Sequence, residues 1–343
     1  MGKVLVVITL LLAGAAGWVL MTPSGQDFVL PLLLDRAIGP VQPNGDDQLE
    51  VLVCGSAAPV RQPGRAQACV AIRAGDRLVL VDAGAGSAMV LAQTGWPLEH
   101  LETVFLTHFH SDHIGAIPEI NLNSWVAGRP RPLQVFGPDG VERVISGLND
   151  AYALDRGYRT AHHGDALMPA ALGVLQAERI EPGSLDLGDG LTVRMALVNH
   201  DPISPAMAYR FDYQGRSVVV SGDTVVSDAL IDLAQGADLL LHDALSMQLI
   251  GAMAARMGEV GRDRMQRILL DVTDYHAHVA ELTAVAQRAG VNQLALYHLV
   301  PAFDNALFER IFRRGLADDV IVTRDGTRFE MPPGSAEIRI SEP

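Results

Sequence analysis

Cysteine is scarce, with only Cys54 and Cys69 among 343 residues. A cluster of thiolate ligands is therefore excluded. Any metal must rely on nitrogen and oxygen donors, for which the 11 histidines are the first candidates. The two cysteines lie fifteen positions apart on adjacent predicted strands. A disulfide and a pair of buried free thiols both fit that placement. Positive charge is short as well: 26 basic residues face 40 acidic ones, for a net charge of −14. Such a field repels a phosphate backbone, so nucleic acid is not the expected partner. No short-period repeat runs through the chain, which sets repeat architectures aside.

One long hydrophobic run is present. VLVVITLLLAGAAGWVLM, residues 4–21, has Thr9 as its only polar member and is close to the minimum for a membrane-spanning helix. Lys3 and Ala13-Gly14-Ala15 also suit a signal peptide. Cleavage there leaves Trp18, Val19 and Leu20 at the new terminus, which favours an uncleaved anchor. The expectation for residues 1–24 is a membrane anchor or signal segment, with the protein membrane-anchored or secreted and extracytoplasmic. The patch FVLPLLL at 28–34 is too short to span, and the polar, turn-rich stretch 35–48 reads as linker. The linker is assigned to 25–48 and the folded domain to 49–343.

The folded domain is strand-rich. LEVLVCG (49–55), CVAIRAG (69–75) and RLVLVDAG (77–84) read as strands, the last two joined by a turn at Gly75-Asp76. Further strands are expected at 103–107, 133–137, 185–200, 207–223, 237–244 and 294–299. Helices are expected at 86–95, 115–120, 138–155, 245–270 and 278–290, the last ended by Gly290. Strands and helices in both halves, with polar residues gathered at strand ends, predict an α/β fold: an αββα sandwich of two mixed sheets flanked by helices.

The densest polar cluster is LTHFHSDHIGA, residues 106–116, at the end of an apolar strand. His108 and His110, one residue apart, project to the same side of an extended segment, and Asp112 and His113 follow on the turn into a helix. Four such groups at a buried strand end are costly unless a partner satisfies them, and a divalent metal does that.

The residues THFHSDHIG resemble the signature of the metallo-β-lactamase fold superfamily. Gly55-Ser56, VDAG at 81–84, NH at 199–200, SGDT at 221–224 and YHL at 297–299 follow in the order that family uses. The resemblance covers roughly residues 49–330. It implies a binuclear site: His108, His110 and His200 on one metal, Asp112, His113 and His298 on the other, and Asp223 bridging. Zinc is the expected metal, with manganese or iron admissible. Asp82 is placed to orient a ligand histidine.

Two metals that share and ionise a water make a hydrolase, with Asp112 able to steer the attack. The resemblance is to the ribonuclease Z and arylsulfatase-like branch, in which a histidine fourteen residues before a glycine acts as general acid and a carboxylate in an H-E-A-like motif orients it. His276 precedes Gly290 by that spacing, and Asp243 of HDA takes the carboxylate place, one methylene shorter than Glu. His278, two residues on, competes for the acid role. A placed acid suits a phosphodiester or sulfate ester. A transfer-RNA-gripping basic arm is not found, so a ribonuclease Z-like endonuclease stands as an alternative. The expected partners are a small anionic ester, the membrane through the N-terminal segment, and a second copy of the chain as a homodimer. Arg256, Arg262, Arg264 and Arg267 belong either to an anion-binding lid or to the wet face of a helix. His162 and His163 read as surface histidines in a loop. A lactonase or β-lactam-type hydrolase would use the same metals, and a non-catalytic metal-binding module is the rival outside enzymes. A flavin-linked di-iron reductase is disfavoured because His110 stands where a carboxylate is needed and no flavin-binding domain follows.

Overall fold

A computed structural model describes residues 2–38, 47–60 and 62–343. The chain divides into two units, Met1–Pro43 and Asn44–Pro343.

The first unit holds two helices, Gly2–Met21 and Pro23–Ile38. Thr22 separates them. Its hydroxyl accepts from the Gly25 amide at 3.1 Å and Pro23 opens the second helix, both favoured arrangements at a helix start. The Trp18 and Phe28 rings meet across the break at 5.7 Å. Two expectations change here. Among the described residues no helix is long and apolar enough to cross a membrane, so the spanning anchor over 4–21 is withdrawn. The extracytoplasmic placement rested on that anchor. Of the expected linker 25–48, residues up to Ile38 are helical, and 39–46 lie outside the described residues.

The second unit contains two mixed sheets. In chain order, β1 (Leu49–Gly55), β2 (Cys69–Ala74), β3 (Arg77–Val81), β4 (Leu101–Phe105), β5 (Gln134–Gly137) and β6 (Gln176–Arg179) build one. β7 (Gly183–Gly188), β8 (Leu191–His200), β9 (Ile203–Tyr213), β10 (Arg216–Val220), β11 (Leu239–Leu245), β12 (Gln293–Val300) and β13 (Ile321–Val322) build the other. β14 (Arg328–Met331) and β15 (Arg339–Ser341) return to the first, giving the orders β15-β14-β1-β2-β3-β4-β5-β6 and β13-β12-β11-β10-β9-β8-β7. In each sheet a parallel half, β3 to β6 and β10 to β13, adjoins an antiparallel half.

The apolar runs seen in the sequence are explained by burial on both faces. Val51, Val53, Ile72, Phe105, Tyr209, Phe211, Val218, Leu241 and Phe329 fill the space between the sheets. The alternate residues of the first sheet pack under helices through Leu91, Ile117, Ile120 and Val141, and those of the second under Leu282, Val285 and Phe312. Strands covered on both sides lose the polar alternation of a half-exposed sheet. This is the predicted αββα sandwich. Tyr209 donates to the Leu106 carbonyl at 2.6 Å, and the Met207 amide to the Thr107 carbonyl at 3.0 Å, tying the sheets together beside the histidine cluster. Cys54 and Cys69 form a disulfide between β1 and β2, so of the two open alternatives the paired one holds.

Candidate active site

The polar ends of β3, β4, β8, β10, β11 and β12 meet at one edge of the sandwich. β4 ends at Phe105 and leads into His108 and His110, while Asp112 and His113 fall on the short helix Ser111–Ile114. Gly84, the glycine of VDAG, runs against the Asp112 backbone carbonyl, where a Cβ has no room. His200 closes β8, Asp223 follows β10, Asp243 lies in β11 and His298 in β12. All are buried except His110, which is half-buried.

Asp223 is the centre of the arrangement. Its Oδ2 lies 3.2 Å from His113 Nε2, 3.3 Å from His298 Nε2 and 3.8 Å from both His108 Nε2 and His200 Nε2. Asp112 Oδ2 is 3.1 Å from His298 Nε2 and 3.6 Å from His113 Nε2. Ligand atoms of His108, His110, His200 and Asp223 lie within 4.8 Å of one another, as do those of Asp112, His113 and His298. Each group could hold a metal ion.

The opposite ring nitrogens are held from behind. Asp82 accepts from the Thr107 amide and hydroxyl, each at 2.8 Å, and from His113 Nδ1 at 2.7 Å. His108 Nδ1 donates to the Thr107 hydroxyl at 3.1 Å, and His200 Nδ1 donates to the Tyr275 carbonyl at 2.9 Å. Donation through Nδ1 turns the Nε2 lone pair of each ring inward. Asp82 and His298 both hold left-handed backbone angles, φ 60° and 43°, a strain that non-glycine residues adopt where the surroundings demand it.

The site fits a cation. The Nε2 atoms of His113 and His200 and the Oδ1 of Asp223 are buried without a hydrogen-bond partner. Burying such groups unpaired is costly, and a divalent metal satisfies them together. The electrostatics agree. Burial pulls the His113 pKa down, but the Asp223 and Asp82 carboxylates outweigh it and hold the pKa well above the usual range. Burial pushes Asp223 up, yet His298 and His113 drive it well below the ordinary carboxylate range. His108, His110 and His200 are lowered chiefly by burial, which favours the neutral, ligating form.

Beside the cluster is a second arrangement. His276 Nδ1 donates to Asp243 Oδ2 at 2.9 Å, so the carboxylate reaches although it is one methylene shorter than glutamate. The His276 ring is 5.3 Å from both His200 and His298. His242 Nδ1 lies 2.9 Å from the other Asp243 oxygen. His278 turns elsewhere: its Nε2 donates to the Thr273 carbonyl at 3.1 Å. The sequence reading missed Thr107, Tyr275 and His242. Thr107 and His242 directly adjoin residues singled out, whereas Tyr275 acts through its backbone carbonyl and leaves no side-chain signal. His162 and His163 lie in the last turn of a helix, Ala153–His163, rather than in a loop, and do not join the cluster. Of the four arginines, Arg256 pairs with Glu259 and Arg267 with Asp271, both pairs exposed.

Residues 77–299 match the family model described as the beta-lactamase superfamily domain. The chain belongs to that superfamily. A ribonuclease Z of Mycobacterium bovis (strain BCG / Pasteur 1173P2) is 37% identical over 257 residues, 74% of this chain and 87% of that relative. A metallo-β-lactamase fold protein, YhfI from Bacillus subtilis, superposes with a TM-score of 0.60 at 20% identity, covering 83% of this chain and all (100%) of that one. The human short-form tRNase Z gives 0.58 at 18%, covering 82% and 99%. These two establish the fold, and the chain is a metal-dependent hydrolase of this family.

The relatives correct two expectations. Nucleic acid was set aside on the overall charge, but relatives this similar are named as a ribonuclease. Net charge averages over the whole surface, whereas the field at a site is set locally and a divalent ion reverses its sign. The membrane-anchored or secreted assignment also falls, since these relatives are named for RNA cleavage and the spanning helix is not found among the described residues. The arylsulfatase side of the resemblance receives no support from these names.

Proposed function

We propose that this chain is a binuclear metal-dependent phosphodiesterase acting on RNA, a ribonuclease Z-like endonuclease. His108, His110 and His200 would hold one zinc, Asp112, His113 and His298 the other, with Asp223 shared. When bound, the metals supply a low-pKa water and positive charge for the phosphate. The chain's own residues do the rest. Asp112, held as a carboxylate because His298 and His113 outweigh its burial, accepts a proton and aims the attacking water. His276 carries a proton on Nε2 toward the leaving alkoxide, while Asp243 takes the Nδ1–H and fixes the ring. Asp82, Thr107 and the Tyr275 carbonyl keep the histidines turned inward.

The observation that carries this reading is the buried His276–Asp243 pair against His200 and His298. A ribose oxygen is a poor leaving group and needs a placed acid, whereas an activated phenolate, or a lactone opened by metal and water alone, needs much less. The test compares wild type and His276→Ala, both zinc-loaded, on an RNA with a 3′ extension, an activated aryl phosphodiester, an aryl sulfate and a lactone. The RNA rate is expected to fall about 100-fold or more and the activated diester rate about tenfold or less. Equal losses on both, or a wild type that prefers the sulfate or lactone, would overturn the assignment.

A further inference from the structure

The six-residue span from Thr273 to His278 does two jobs at once. The Tyr275 carbonyl takes the Nδ1–H of His200, and the next residue, His276, reaches Asp243. The Tyr275 ring also lies 5.0 Å from His200 and 4.9 Å from His276. A ligand histidine and the candidate acid are thus set by one short connection between the turn Val272–Asp274 and the helix Val279–Ala289.

His278 closes that connection. It occupies the N-cap of Val279–Ala289, yet its side chain does not cap its own helix. It folds back over the loop, and Nε2–H donates to the Thr273 carbonyl at 3.1 Å. That carbonyl belongs to the last turn of the preceding helical segment, where acceptors have no partner within the helix. From below, β11 holds the Ala277–His278 end of the loop: the Leu245 amide donates to the Ala277 carbonyl at 2.8 Å, the Ala277 amide donates to Asp243 Oδ2 at 3.4 Å, and Leu245 bridges His278. The Thr273 side has the imidazole as its cross-link to the helix start.

We infer that His278 is a positioning residue: its clasp on the Thr273 carbonyl holds Tyr275 and His276 in register, and so couples the orientation of the ligand His200 to that of the acid His276. This rests on the reading of those two residues given above. It also gives His278 a role other than the acid role for which it competes by position. A side chain that ends at the place of Nδ1 cannot make the clasp, whereas one that extends to the place of Nε2 can.

The test uses the full chain with His278→Asn and His278→Gln. Asn is a good N-cap, so the helix start is kept while the reach is lost. Gln carries its amide nitrogen near the Nε2 place. Zinc affinity is read by chelator competition, and kcat and KM on the RNA and on the activated diester. For His278→Asn we expect zinc affinity at the His200 side to fall about tenfold and kcat on RNA about tenfold, with KM little changed and the activated diester less affected. His278→Gln is expected to recover most of both. Wild-type behaviour in both variants, or equal losses in both, would overturn the clasp. A loss of kcat with zinc affinity unchanged would overturn the coupling. Failure of the wild type to bind zinc or to cut the diester would instead strike the functional reading beneath it.

Discussion

At the scale of single residues, the site works by paired demands on each imidazole. In His108, His113 and His200, Nδ1 donates to a fixed acceptor and Nε2 is left facing Asp223 or its neighbours. Asp82 is the clearest case, since it takes three donors, one of them from His113. Asp82→Asn is expected to lower zinc affinity about 10- to 100-fold with the fold retained, as read by chelator competition. Acidity follows from the same contacts. The carboxylates hold His113 protonated above the usual range, and that Nε2 proton must leave before a metal can bind. Zinc affinity therefore rises as pH rises through the elevated His113 pKa and weakens as pH falls below it. Calorimetry between about pH 6 and pH 8, in buffers of different ionisation enthalpy, is expected to show proton release on binding; uptake or no transfer would contradict it. At this scale the sequence was most legible: H-x-H-x-D-H and the single-histidine motifs in register identified the residues that converge. What stayed hidden were contacts made by backbone atoms, such as the Tyr275 carbonyl, because any residue type can supply them.

At the scale of elements, the strands were legible from their apolar runs and the end of one helix from its cap. Gly290, at φ 60°, ends Val279–Ala289 as its left-handed C-terminal residue. The expected single helix over 245–270 is two, Met247–Glu259 and Asp263–Asp271, broken around Gly261 at φ 72°. Nothing in the periodicity separates one bent helix from two. The expected helix over 138–155 likewise divides at Tyr152, and its continuation carries His162 and His163. The β1–β2 pair carries the disulfide, which closes a sequence separation of 15 residues. Loop-closure entropy for that length corresponds to about 3 kcal/mol, so Cys54→Ser with Cys69→Ser is expected to lower the unfolding free energy by that order, read as an earlier denaturation midpoint. Reduction of the wild type should have the same effect, and an unchanged midpoint in both would show the strands to be held by packing alone.

At the scale of the whole molecule, overall charge misled where local charge decides. A net −14 describes the surface, but the groups that meet phosphate would do so at a buried cluster able to hold divalent cations. The same scale explains why the fold could be read and the N-terminal segment could not. A two-sheet core imposes its pattern on every strand, whereas a hydrophobic run of borderline length has no such redundancy. The account stands on seven side chains, drawn from β8, β12 and the ends of β4 and β10, closing around two cations. Elemental analysis of the full chain equilibrated with zinc and freed of excess tests this most directly. The account predicts two zinc ions per chain, falling to one or fewer in Asp223→Ala. One zinc or none in the wild type, or an unchanged content in the variant, would contradict it.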